Sequence, residues 1–214
     1  RPTELTATAD NVESTITGLS TGTYTLKVTG AITNDTITTI ATAMNNNTKA
    51  KINLDLSGTT ELNEIPENAF YIDNTLNDNL ISIIIPDSVT SIGEYAFRNC
   101  NITSVTIGSG VTSIGSGAFT ICSKLKEVII SNNIKIQEIK DHAFSNCYNL
   151  TGFTIPSCLA SIGNGAFNYC SNLTKFEVDT SNPNYSSSDD GTILLNKNKT
   201  ELIAYPSATG DITI

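Results

Sequence analysis

Charge is scarce in this chain, and positive charge is scarcest. Asp, Glu, Lys and Arg together make up 15% of the residues, well below the usual quarter. Lys and Arg number 12 against 21 Asp and Glu, for a formal charge of −9. Nucleic-acid binding needs a basic footprint, which is missing, and anionic membrane surfaces are disfavoured for the same reason. No apolar run approaches the roughly 18 residues of a membrane span, so direct membrane insertion is not expected. Low charge does not mean disorder, which normally goes with high charge and few branched residues. Here hydrophobic residues reach 39%, and the isoleucines and valines are regularly placed. Thr, Asn and Ser fill the polar share.

The usual signatures of chemistry are also missing. There is no Cys-x-x-Cys pair and no set of histidines for zinc. His142 is the sole histidine. With no Gly-x-Ser-x-Gly elbow, it has no evident nucleophile to serve. No phosphate-binding glycine loop appears. Asp189 and Asp190 lie in a turn-rich stretch without the EF-hand spacing, so they read as a solvated turn. Glu127 and Glu177 are acids on exposed strand positions, but two repeat units separate them, too far for a glycosidase pair. No catalytic, cofactor or metal site is expected.

What is present is a repeat. Ala-Phe recurs at Ala69-Phe70, Ala96-Phe97, Ala118-Phe119, Ala143-Phe144 and Ala166-Phe167, with Phe-to-Phe steps of 27, 22, 25 and 23 residues. Cys follows Phe by three residues in four copies, at Cys100, Cys122, Cys147 and Cys170. Next comes a six-residue stretch, LISIII, ITSVTI, LKEVII, LTGFTI or LTKFEV, apolar at positions one, four and six. A turn follows at Pro86, Gly108, Ser131 or Pro156. Then comes a second apolar pair, such as Val89/Ile92, Val111/Ile114, Ile136/Ile139 or Leu159/Ile162. So short a unit cannot bury its own apolar face, so the units must stack. In the strand, residues four and six face inward and residue five outward. Each Phe is expected to plug the core, with Gly93, Gly115 and Gly163 permitting the turn into it.

The string [VL]-x-S-I-G-x-x-A-F-x-x-C-x-x-L-x-x-[IVF]-x-[IV]-P resembles the BspA-like, or TpLRR-type, leucine-rich repeat. The resemblance spans about residues 50 to 180, and the tail resembles a hairpin-bearing variant repeat of that family. It implies an α/β fold: a right-handed leucine-rich-repeat solenoid of about five to six coils, mostly short parallel strands, with an N-terminal α/β cap. The expected divisions are a cap over 1–50, a solenoid over 51–180 and a variant repeat with a β-hairpin over 181–214. The cap reads as helix, strand, helix, strand, with Asp10 and Asp35 as N-caps. In the tail, GTILL and TELIAYP read as the hairpin, and SNPNYSSSDDG as a loop. The chain opens on RPTELTATAD without an initiator methionine or signal peptide. It stops in GDITI, which reads as half a strand, so a longer native protein is expected.

Four cysteines at one repeat position should form an inward ladder of free thiols. Stacked side chains run parallel, whereas a disulfide needs them to converge. Cys158, at a coil corner, should be the accessible one. The candidate binding residues are the outward strand positions Ser82, Ile84, Ser104, Thr106, Glu127, Ile129, Thr154, Lys175 and Glu177. Ile84 and Ile129 mark a contact surface, or else reflect only the fit of β-branched residues to strands. The family resemblance implies a non-enzymatic cell-surface or secreted protein, bacterial or sometimes protist. Such proteins are associated with adhesion to host matrix proteins or other cells. A glycan is a further candidate ligand, and a spacer module with no ligand of its own is the alternative.

Overall fold

The computed structural model describes residues 1–72, 76–130 and 134–205. The chain begins β1 (Thr3–Ala7), α1 (Val12–Thr17), β2 (Gly22–Ala31), α2 (Asn34–Asn46), β3 (Ala50–Thr60). Each following coil contributes a two-residue strand and a longer one. These are β4 (Glu64–Ile65) and β5 (Leu80–Ile84), β6 (Ser91–Ile92) and β7 (Ser104–Ile107), β8 (Ser113–Ile114) and β9 (Glu127–Ile130). Then come β10 (Glu138–Ile139) and β11 (Gly152–Ile155), β12 (Ser161–Ile162) and β13 (Lys175–Val178). The chain then forms β14 (Tyr185–Ser187), β15 (Leu194–Asn196) and β16 (Leu202–Ala204).

The longer strands build a six-stranded parallel sheet in the order β1-β2-β3-β5-β7-β9, and the short ones a five-stranded sheet from β4 to β12. One apolar row, Leu5, Leu26, Leu54, Ile83, Val105 and Val128, crosses the larger sheet in register. Ile65, Ile92, Ile114, Ile139 and Ile162 do the same in the smaller one. The α/β leucine-rich-repeat solenoid is therefore present, and the first three strands share its sheet.

Phenylalanines fill the space between the two sheets. Phe70, Phe97, Phe119, Phe144 and Phe167 stack with ring centroids 5.3, 5.0, 5.1 and 5.6 Å apart and planes within 7° of parallel. This matches the strand spacing of about 4.8 Å, so rings and strands advance together. The backbone is stitched in the same place. Phe70, Phe97, Phe119 and Phe144 each donate N–H to the carbonyl of Ala96, Ala118, Ala143 and Ala166 in the next coil, all at 2.8 Å. Each of those Phe carbonyls accepts the thiol of the next coil's cysteine. Cys100 Sγ reaches Phe70 O at 3.3 Å, Cys122 reaches Phe97 at 3.0 Å, and Cys147 and Cys170 reach Phe119 and Phe144 at 3.2 Å. The first copy has no cysteine. There Asn77 pairs in register with Cys100, and its Nδ2 donates to Phe70 O at 2.8 Å. Threonines add a third stitch on the flanks: Thr103, Thr112 and Thr174 donate Oγ1 to the carbonyls of Ile81, Thr90 and Thr151 one coil earlier.

Several expectations need correction. The N-terminal segment starts with a strand, β1, where the sequence suggested none, because Thr and Glu on its exposed side mask the alternation. Neither helix is capped by the aspartate expected. The α1 boundary falls at Asn11, whose Oδ1 accepts from Thr8 N–H and closes the turn before the helix. The α2 boundary falls at Thr33, whose N–H donates to Thr36 Oγ1, and Asp35 instead places a negative charge in the first turn. Gly93, Gly115 and Gly163 do open the turn into Phe, their carbonyls accepting the N–H of Ala96, Ala118 and Ala166, but none has a left-handed φ. They let coils touch: an added Cβ at Gly93 would lie 2.5 Å from Glu67 N, and at Gly115 2.7 Å from Glu94 N. The left-handed residue comes two positions later, at Tyr95, Gly117 and Gly165, with Asn68 and His142 in the same place in their coils and φ between 52° and 63° throughout. In the tail, Tyr185–Ser187 is not loop but a strand of a three-stranded antiparallel sheet, anchored by the buried Tyr185. The turn expected at Ser131 and the strand expected in GDITI lie outside the described residues.

If the phenylalanine stack carries the core, Phe119→Ala should lower unfolding free energy by about 3–5 kcal/mol in urea denaturation. A loss below about 1 kcal/mol would reject that role.

Candidate binding face

The outward strand residues fall into two cross-strand rows on the larger sheet. Ser82 on β5, Ser104 on β7 and Glu127 on β9 form one, and Ile84, Thr106 and Ile129 form the other. The first row is partly satisfied within the protein, since Ser82 Oγ donates to Asn53 Oδ1 at 2.9 Å. The second row has isoleucines 37% and 42% exposed on either side of Thr106.

Thr154, Lys175 and Glu177 do not continue these rows. The larger sheet ends at β9, and β11 and β13 form a separate pair in which Gly152 faces Lys175 and Thr154 faces Glu177. The break coincides with a change at the inward fourth position, from Ile83, Val105 and Val128 to Phe153 and Phe176. Phe153 packs at 58° and 62° against Phe144 and Phe167, across the line of the stack. Gly152, with no side chain, adds nothing to cross-strand packing there. The gap opens as two adjoining clefts. One of about 300 Å³ is walled by Ile130, Ile134, Pro156 and Val178, with Thr154, Glu177 and Asp179 at its polar side. The other, about 210 Å³, includes Glu127, Thr154, Lys175 and Glu177. Four of the nine residues singled out from sequence thus line the break, and the other five lie on the continuous sheet. Neither the break nor Ile134 and Asp179 was legible beforehand. The jump to Phe at the inward position is the one signal that could have shown it.

Lys175 Nζ pairs with Glu177 at 2.6 Å with both side chains more than half exposed, a pair of small energetic weight. His142 is exposed, and its imidazole lies where a side chain at Gly165 would go. Among the described residues, no group of three His, Cys, Asp or Glu is placed to hold a metal ion. Asp190 Oδ1 accepts from Ser188 Oγ, Thr192 Oγ1 and Thr192 N–H, which hold its carboxyl down at about 2. All five cysteines are free thiols. Burial pushes Cys122 and Cys170 up to about 12, and Cys100 and Cys147 well above the ordinary range. Cys158 is half-buried and donates to the Ile134 and Ile136 carbonyls.

Stacked coils with parallel strands on two sides, and a side-chain ladder between them, make a repeat solenoid. Residues 63–188 match the BspA type leucine-rich repeat region in six copies, and the chain belongs to that family. The crystal structure of the pneumococcal vaccine antigen PcpA is similar over 75% of this chain and 38% of that one, with 27% identity and a TM-score of 0.64. The T. pallidum leucine-rich repeat protein TpLRR matches over 59% of this chain and 58% of its own, with 27% identity and a TM-score of 0.53. A leucine-rich cell surface protein of Faecalibacterium prausnitzii A2-165 shares the fold over 85% of this chain and 45% of its own, at 24% identity and a TM-score of 0.60. The chain therefore spans 38% to 58% of the length of these solved relatives. No curated protein matches the sequence.

Two measurements check this arrangement. Native protein titrated with a disulfide reagent near pH 8 should show Cys158 reacting first, with the four ladder thiols appearing only on unfolding. Fast reaction of several thiols would contradict the buried ladder. The Asp190 carboxyl should titrate by NMR near 2 rather than near 3.8. Its folded value is depressed, so its contribution to stability is present above about pH 4 and fades as pH falls through about 2. Ser188→Ala should move the midpoint up towards the ordinary value.

Proposed function

We propose that this chain is a non-enzymatic binding module of a cell-surface or secreted protein, and that the row Ile84, Thr106 and Ile129 is the core of its contact face. One observation carries the reading. Two large aliphatic side chains stand over a third exposed on a regular sheet, in line across three strands. Solenoids present such extended faces to partners, and covering the exposed two-fifths of each isoleucine would gain about 0.6–1.2 kcal/mol. The solved relative PcpA is a vaccine antigen, which supports a location that antibodies can reach. Membership of the BspA-type family supports binding over catalysis. The partner class is a protein of a host matrix or of another cell surface.

The test is surface plasmon resonance of the folded protein against a panel of matrix proteins, with glycans alongside and an Ile84→Asp/Ile129→Asp double variant as control. Saturable binding to a matrix protein, weakened about tenfold or more in the variant, is the expected result. Circular dichroism should show the variant folded. Binding that the variant retains in full would move the contact face elsewhere. No binding by wild-type protein would favour a spacer module, and binding to glycans alone would change the partner class.

A further inference from the structure

The break in the sheet opens two half-open clefts on the strand face, and the lining of the larger has a specific chemistry. Ile130 and Ile134 on one side and Val178 on the other are half-buried, so each leaves part of an aliphatic surface in the larger cleft. Glu177 and Asp179, two residues apart in the chain, also line it. Ser181 donates both its hydroxyl, at 2.6 Å, and its N–H, at 2.9 Å, to Asp179 Oδ1, which lowers that carboxyl below its ordinary value. Among the described residues, Glu177 is engaged only by Lys175, in an exposed pair that exchanges for another cation at little cost. About 300 Å³ is room for one long side chain.

A guest matching this lining needs an aliphatic stem for the isoleucine and valine walls and a cationic head for the carboxylates. Lysine and arginine have that shape, and arginine's planar fork suits two neighbouring carboxylates better than an ammonium does. The whole chain adds to the match, since its formal charge of −9 draws in a basic partner at long range.

We propose that the cleft between β9 and β11 is an anchor site for an arginine side chain of a basic segment of the partner protein, seated over Ile130, Ile134 and Val178 and paired with Glu177 and Asp179. This rests on the reading of the strand face as a binding surface, and it assigns the chemistry of the partner.

The test uses N-acetyl-arginine amide as the probe, titrated into the ¹⁵N-labelled protein, with N-acetyl-citrulline amide as its neutral isostere. Saturable shifts should centre on Thr154, Val178 and Asp179, with a Kd on the order of a few millimolar. Citrulline amide should bind about tenfold more weakly. A Glu177→Gln/Asp179→Asn variant should lose the shifts while keeping its fold, because the new carboxamide oxygen would still accept from Ser181. Equal shifts from both probes, shifts centred elsewhere, or none that saturate would overturn the proposal. The Ile84→Asp/Ile129→Asp variant separates the two readings. Loss of matrix-protein binding there with arginine binding retained supports both. Matrix-protein binding without any arginine binding to the cleft overturns the anchor alone.

Discussion

The fold depends on what happens to the backbone of one buried residue per coil. Each stacked phenylalanine is shielded from water, so its N–H and carbonyl must find partners inside the protein. From Phe70 to Phe144, the next coil supplies both, an alanine carbonyl for the N–H and a cysteine thiol for the carbonyl. The Ala-Phe-x-x-Cys signature is therefore a joint between coils rather than a feature of one coil. Cysteine suits it because it is small, is content in an apolar setting and still offers a weak donor. Serine there would bring a stronger donor but more polarity to bury. The free thiols follow from this task, and no missing disulfide is needed to explain them.

The joint sets the pitch, and the pitch sets what the surface can present. With rings near 5 Å apart and strands at nearly the same spacing, equivalent outward residues line up in rows. A row can carry side chains as different as aspartate, isoleucine and threonine without disturbing the stack. That separation lets one architecture hold Asp55, Ile84, Thr106 and Ile129 side by side. Where an inward residue no longer fits the pitch, the surface changes too. Phe153 lies across the stack rather than in it, the strands part, and a flat face gains a cleft.

How much of this is readable in advance depends on how far an interaction reaches. The register of Ala-Phe, the inward and outward alternation of Ile83 and Ile84, and the buried cysteines follow from periodicity within the chain. Side chains at a fixed spacing must share an environment. The glycines are different. Gly93 reads as a turn residue because glycine often is one, yet what decides its identity is the backbone of Glu67 one coil away. The pairing of Asn77 with Cys100 in the next coil, the parting of β9 from β11 and the first strand Thr3–Ala7 share this character. Each depends on what is packed above or beside it, and no local pattern records that. Asn11 and Thr33 displaced the aspartates as helix boundaries through local competition among equally suitable cap residues.

The left-handed position before each Ala-Phe has a consequence for how such a chain can grow or shrink. Along the coils it holds Asn68, Tyr95, Gly117, His142 and Gly165. The ring of Tyr95 occupies the place a side chain at Gly117 would need, and the imidazole of His142 does the same at Gly165. From Tyr95 to Gly165, a bulky coil is thus followed by a bare one. Excising the single coil of Gly117 would set His142 against Tyr95, whereas excising the coils of Gly117 and His142 together would set Gly165 there and leave the spacing undisturbed. Removing the coils of Gly117 and His142 as a pair would therefore keep the alternation here, whereas removing one alone would break it.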